Sequence, residues 1–224
     1  MAAGFVARGC NMTNQVLRPI YLDSSALAEE REEVVMPTFT FAPLMGRSPL
    51  DVLETDMVLM TKLYRMDVPA SMHVRNPDVA EMLKDSLREQ FAGKKGTSQL
   101  LEAPLPNSRG QSGRYIFLFG LGPAESYTGQ VACQTFEVFL KKALELGVER
   151  VTIPFIPNPM TKTSLTHKAT AYKLKQVVAR VLSEHEGPVE LKEIQIYCTP
   201  PAVRHIKHGL EIEHGKDDCH CHIE

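Results

Sequence analysis

The last twenty residues hold the densest set of side chains that could do chemistry: His205, His208, His214, Cys219, His220, Cys221 and His222. His205 and His208 are spaced to share one face of a helix. Cys219-His220-Cys221-His222 places soft and borderline donors side by side, suited to zinc, copper(I) or nickel. Adjacent residues cannot all reach one ion with good geometry, and structural zinc sites space their cysteines by roughly two to four residues. The candidate metal ligands are therefore His214, Cys219, His220, Cys221 and His222. The plainer reading is a polar, acid-flanked tail with adventitious affinity. No cofactor is required by any other feature, so zinc or another transition metal at this tail is the one candidate.

Two further stretches could hold an anion. Gly120-Leu121-Gly122 follows an apolar run and precedes a helical pattern, the setting in which bare backbone N–H groups cradle a phosphate. A dinucleotide fingerprint would need a further glycine where this chain has Glu125, whose charge repels a pyrophosphate. The plainer reading is a tight turn at positive φ. Asn158, Thr161, Lys162, Thr163 and Ser164 lie in a loop after the next strand, where open α/β sheets bind ligands. Pro157 and Pro159 remove two donors from that loop, and it has no glycine to open the backbone. A capped helix entry is the competing reading. No Ser-His-Asp or Cys-His set can be assembled by spacing, and Cys133 and Cys198 sit in apolar patterns as small hydrophobes.

The elements that would position these residues centre on Arg114 to Phe155. Tyr115-Ile116-Phe117-Leu118-Phe119 reads as a strand buried on both faces. A helix over about 127–146 is closed by Gly147, and 148–155 reads as a second, parallel strand. Upstream, 34–41 alternates as a strand that Pro37 would place at an edge. Pro43 to Pro49 reads as a turn, and 56–64 as a strand. Asn76-Pro77-Asp78 starts a helix running to about Ala92. A short strand over 98–101 leads into a surface loop over 104–113. Downstream come a helix over 165–184, a strand over 191–198, and a helix capped by Thr199. The expected fold is a three-layer α/β/α sandwich with a mixed, mostly parallel sheet. The expected division is an N-terminal extension (1–30), one α/β domain (31–213) and the Cys/His-rich tail (214–224).

Composition narrows the partners. The chain has 224 residues, 43% of them hydrophobic, and a net charge of −2. It has no basic surplus to favour nucleic acid. No apolar run approaches the ~18 residues that cross a bilayer. The five cysteines are odd in number and scattered. That argues against a disulfide framework and for the cytoplasm.

Two stretches carry a family resemblance. Gly93-Lys94-Lys95-Gly96-Thr97 through Leu101, then Arg114 through Gly120-Leu121-Gly122-Pro123 to Thr128, resembles the N-terminal domain of the leucyl aminopeptidase family. The resemblance covers about residues 50–155. The closing order of loop, long helix, strand and terminal helix after residue 155 resembles a macro domain, and the two share a fold. Aminopeptidase chemistry belongs to a separate two-metal domain with an Asn-Thr-Asp-Ala-Glu-Gly-Arg-Leu signature. That signature does not occur here, so the resemblance carries over no catalytic residue. Macro domains hold ADP-ribose with two glycine-bearing loops, and 157–164 departs from that pattern.

The first expectation is therefore a stand-alone, non-catalytic domain that acts through a protein partner or self-association. The second is a divergent macro-type binder of ADP-ribose, a nucleotide or another anionic small molecule, using Gly120, Gly122 and the 158–164 loop. The third is a metal-binding module built on the tail.

Overall fold

Two apolar runs form the middle of the sheet in this computed structural model, which describes residues 35–43, 48–64, 74–86, 91–154 and 165–211. One is β2 (Met57–Leu63) and the other is β4 (Ser112–Gly122). They pair in parallel with Met57 opposite Tyr115 and Thr61 opposite Phe119. Met57, Val58, Leu59 and Met60 are all at most 2% exposed, so both faces of β2 are covered. This is why neither run alternates apolar with polar. β1 (Thr38–Pro43), β5 (Arg150–Pro154) and β6 (Glu193–Cys198) extend the sheet on one side. β3 (Ser98–Pro106) closes the other side. Among the described residues the order is β1-β6-β5-β2-β4-β3, with only β3 antiparallel. β4 and β5 are parallel as expected, and β2 lies between them.

Alternation across β2 and β4 splits the core in two. Met57, Leu59, Phe117 and Phe119 pack with α3 (Gly129–Glu145), α4 (His167–Glu184) and α5 (Pro200–Glu211). Val58, Met60, Ile116 and Leu118 pack with Leu50 of α1 (Pro49–Val52) and with Val79 and Leu83 of α2 (Pro77–Asp85). Phe139 of α3 is fully buried, with its ring 5.8 Å from that of Phe117. Burying a side chain of this size contributes about 2–3 kcal/mol. The helices start where side-chain oxygens take up free amides. Asn76 accepts from Asp78 and Val79, Thr128 from Val131, and Thr166 from Ala169. Gly147, at φ +61°, follows the end of α3.

Among the described residues β1 is an edge strand, as Pro37 implies. Three boundaries differ from expectation. The 104–113 loop is mostly strand: β3 runs to Pro106 and β4 begins at Ser112, with a register shift between Ala103 and Pro106. β3 needs hydrogen bonds on one side only, so it tolerates Pro104 and Pro106. The turn before residue 50 leads into a short helix, α1, capped by the Ser48 hydroxyl. α2 ends at Asp85, short of the expected Ala92, with 87–90 outside the described residues.

Candidate functional site

All five parallel strands end on one side of the molecule, its carboxyl end, where α3 and α5 begin within a few residues of β4 and β6. Gly120 and Gly122 lie here, stacked under the turn of Gly93 to Thr97. The Gly120 amide donates to Thr97 O (2.8 Å) and the Gly122 amide to Gly93 O (3.0 Å). The Gly96 amide donates in turn to Gly120 O (2.9 Å). A Cβ on Gly120 would stand 2.1 Å from Lys94 O, and one on Gly122, at φ +80°, would stand 2.8 Å from Lys95 Cβ. Both glycines are thus explained by close backbone approach, and their N–H groups are engaged within the fold. Asn158, Thr161, Lys162, Thr163 and Ser164 lie outside the described residues, as do His214, Cys219, His220, Cys221 and His222. Among the described residues no group of three or more His, Cys, Asp or Glu could hold a metal ion. His167, isolated in sequence, sits near His205; burial and that neighbour lower its pKa.

The carboxyl end also gathers lysines that motif reading passed over. Lys62 and Lys173 are 7% and 8% exposed. Lys62 Nζ donates to Phe91 O at 3.3 Å. Lys173 reaches from α4 to the first residue of α3, where a Cβ on Gly129 would stand 2.7 Å from its Cε and 3.2 Å from its Nζ. Gly129 therefore lets an ammonium approach a helix N-terminus, itself a partial positive charge. Nearby Tyr127 is held neutral, its pKa raised to about 12 by burial and by Cys133. Lys94 and Lys95 are exposed on the turn above. The signal was periodicity. Lys173 shares a helical stripe with Val177 and Val181, and Lys62 alternates with Val58 and Met60.

The amino end of the sheet is built differently. Asp56 accepts from the Ser108 amide (2.9 Å) and hydroxyl (2.5 Å), and from the amides of Glu149 (3.0 Å) and Arg150 (2.8 Å). Burial alone would raise its pKa, but the bonds from Ser108, Arg150 and Glu149 hold it below the usual carboxylate value. Buried Arg114 donates to Leu50 O (2.9 Å) and, through Nε and Nη2, to Pro106 O. Its pKa is lowered by burial, against the charges of Asp56 and Glu54. Arg150 pairs with Glu193 at 2.6 Å, and Arg109 with Glu149 at 2.5 Å.

Five parallel strands in this order, one antiparallel edge and helices on both faces decide the fold. The fold is macro-like. A Trypanosoma brucei macrodomain in complex with ADP superposes with a TM-score of 0.55 at 14% identity, covering 78% of this chain and 69% of that one. An Oceanobacillus iheyensis macrodomain variant with ADPR gives 0.55 at 12% identity, covering 80% and 94%. A tomato leucine aminopeptidase variant gives 0.50 at 16% identity over 79% of this chain, and the chain spans only 36% of that protein. No protein-family model matches the chain, and no curated protein matches it in sequence. The macro-like architecture shared with the aminopeptidase N-terminal domain is thus what the resemblance led one to expect. No described helix is long and apolar enough to cross a membrane.

Proposed function

We propose that the carboxyl end of this macro-like domain binds a phosphate-bearing small molecule of the nucleotide class. The observation that carries the reading is Lys173, buried against the first turn of α3. An ammonium and a helix N-terminus of like sign converge there, and an oxyanion is the group both attract. Lys62, Lys94 and Lys95 add positive charge at the same end. Structural neighbours solved with ADP and with ADP-ribose support the reading at the level of fold. Because the amides of Gly120 and Gly122 are engaged within the fold, the proposed contacts to the anion come from side chains and helix termini rather than from a glycine loop. The buried cysteines Cys133 and Cys198, neither of them in a disulfide, suit the reducing cytoplasm.

Calorimetric titration of the full chain with ADP-ribose, ADP and inorganic phosphate tests this. Saturable binding that Lys173→Met weakens about tenfold or more, in a variant that still melts cooperatively, supports it; no heat with any of the three overturns it. A second reading, a non-catalytic interaction module, is favoured by the long edge strand β3, where Leu100 is 37% exposed. A protein that binds none of these ligands and sediments as a dimer would select it.

A further inference from the structure

Among the described residues β3 is the antiparallel edge of the sheet, and its outward groups form a short, bounded run. Leu100 is the only large hydrophobic of a described strand that stands exposed, at 37%. Its neighbours Leu101 and Ala103 turn the other way and pack with the core beneath α1 and α2. The backbone alternates too. The Gly120 amide donates to Thr97 O, and Gln99, Leu101 and Ala103 stand opposite Leu118, Ile116 and Arg114. Counting in twos from Thr97, the N–H and C=O groups of Gln99, Leu101 and Ala103 face β4. Those of Ser98, Leu100 and Glu102 therefore face away from the sheet. Among the described residues no backbone hydrogen bond reaches them from outside it. The outward run has fixed ends. Gly96 gives its amide to Gly120 O on one side, and Pro104 has no amide on the other.

We infer that β3 pairs with β3 of a second copy of this chain, antiparallel about a two-fold axis at Leu100. This deepens the interaction-module reading by naming its partner and register. An antiparallel strand added to an open edge bonds at every second residue. With Leu100 opposite Leu100 of the second copy, Ser98 stands opposite Glu102. Each outward N–H and C=O of these residues then finds a partner. Sliding the pair either way sets Ser98 against Pro104 or Glu102 against Gly96, and an outward carbonyl loses its donor. The same register suits the side chains, all three of which are exposed. Leucine meets leucine, and the Ser98 hydroxyl donates to the Glu102 carboxylate on either side of the axis. Matching itself under a two-fold is what a closed dimer interface requires of a strand. The pairing uses up the β3 edge of both copies, so assembly through this edge stops at two.

Sedimentation velocity of the full chain over a concentration series tests this. The parent is expected to pass from monomer to dimer as concentration rises. Leu100→Lys sets two ammonium groups against each other on the axis and should weaken the dimer about tenfold or more. Ser98→Glu sets carboxylate against carboxylate and should weaken it severalfold, and adding Glu102→Lys should restore it. That rescue is specific to the register, since no other pairing brings positions 98 and 102 together. Val189→Lys, at a similarly exposed valine outside the sheet, should leave the dimer unchanged. Circular dichroism spectra matching the parent show that these variants of exposed positions remain folded. A parent that stays monomeric overturns the inference and leaves the interaction-module reading to a different partner. A dimer that Leu100→Lys does not weaken, or one without the rescue, places the contact elsewhere and overturns it as well.

Discussion

Asp56 and Lys62 lie at opposite ends of β2, each 7% exposed, and the protein treats them differently. Asp56 is fixed by Ser108 and by the amides of Glu149 and Arg150, so it ties the β3–β4 hairpin to the start of β5. Its charge is spent on architecture. Lys62 and Lys173 stand where parallel strands end and helices begin, with the exposed Lys94 and Lys95 on the turn alongside. Four lysines thus lie at that end, two of them buried and two exposed. A buried charge met by fixed dipoles holds a fold together. Charges of one sign at one end of a sheet create a field that a ligand can use.

The largest effect is expected at Asp56. Asp56→Ala should cost about 3–5 kcal/mol in urea unfolding, because Ser108 and the amides of Glu149 and Arg150 lose a buried charged acceptor. If Lys173→Met costs as much, the contrast between the ends collapses. The pH dependence carries a sign. The folded Asp56 pKa lies below its unfolded value, so this stability is present above the unfolded value near 4 and lost as pH falls through the folded one. Asp56→Asn should flatten that acid limb of the stability curve.

Next is Gly120→Ala. Its Cβ would stand 2.1 Å from Lys94 O, and forcing the turn away should cost about 1–3 kcal/mol in the same assay. An unchanged midpoint would refute the packing role of this glycine. Lys173→Met should cost less than Asp56→Ala, since methionine keeps an unbranched apolar stem in the same space. It should still weaken nucleotide binding about tenfold or more, a loss of about 1.4 kcal/mol. The smallest effect belongs to Arg109→Ala at the exposed rim of the amino end. Its partners are solvent-facing, and the melting temperature should not move at high salt.

The central strands were legible because burial on both faces leaves an unbroken apolar run, as in Tyr115–Phe119. Helix starts were legible where Asn76 and Thr199 stand before prolines. β3 was not, because Pro104 and Pro106 suggest a loop until its place at the sheet edge is known. At the carboxyl end the motif reading found the glycines and missed Lys173. Its meaning depends on Gly129, which precedes it by a helix and a strand and touches it only after folding. Gly120 and Gly122 look the same in sequence whether their amides face a phosphate or the carbonyls of Thr97 and Gly93. Only tertiary pairing separates the two.

The first described strand pairs with the last described one. Thr40 donates to Glu193, 153 positions later, and among the described residues β1 has no other strand beside it. An edge strand in this position cannot zip onto its neighbour until nearly the whole domain has been synthesised. Closing so long a loop delays the step while adding only slowly to its entropic cost. During synthesis β2, β4 and β5 can assemble around α3 while β1 still waits for its site. Aromatic Phe39 and Phe41, which finally pack against the main core, are in the meantime without that cover. A ribosome-stalling series should therefore show protease protection of residues 38–43 arising in one late step, only once β6 has emerged.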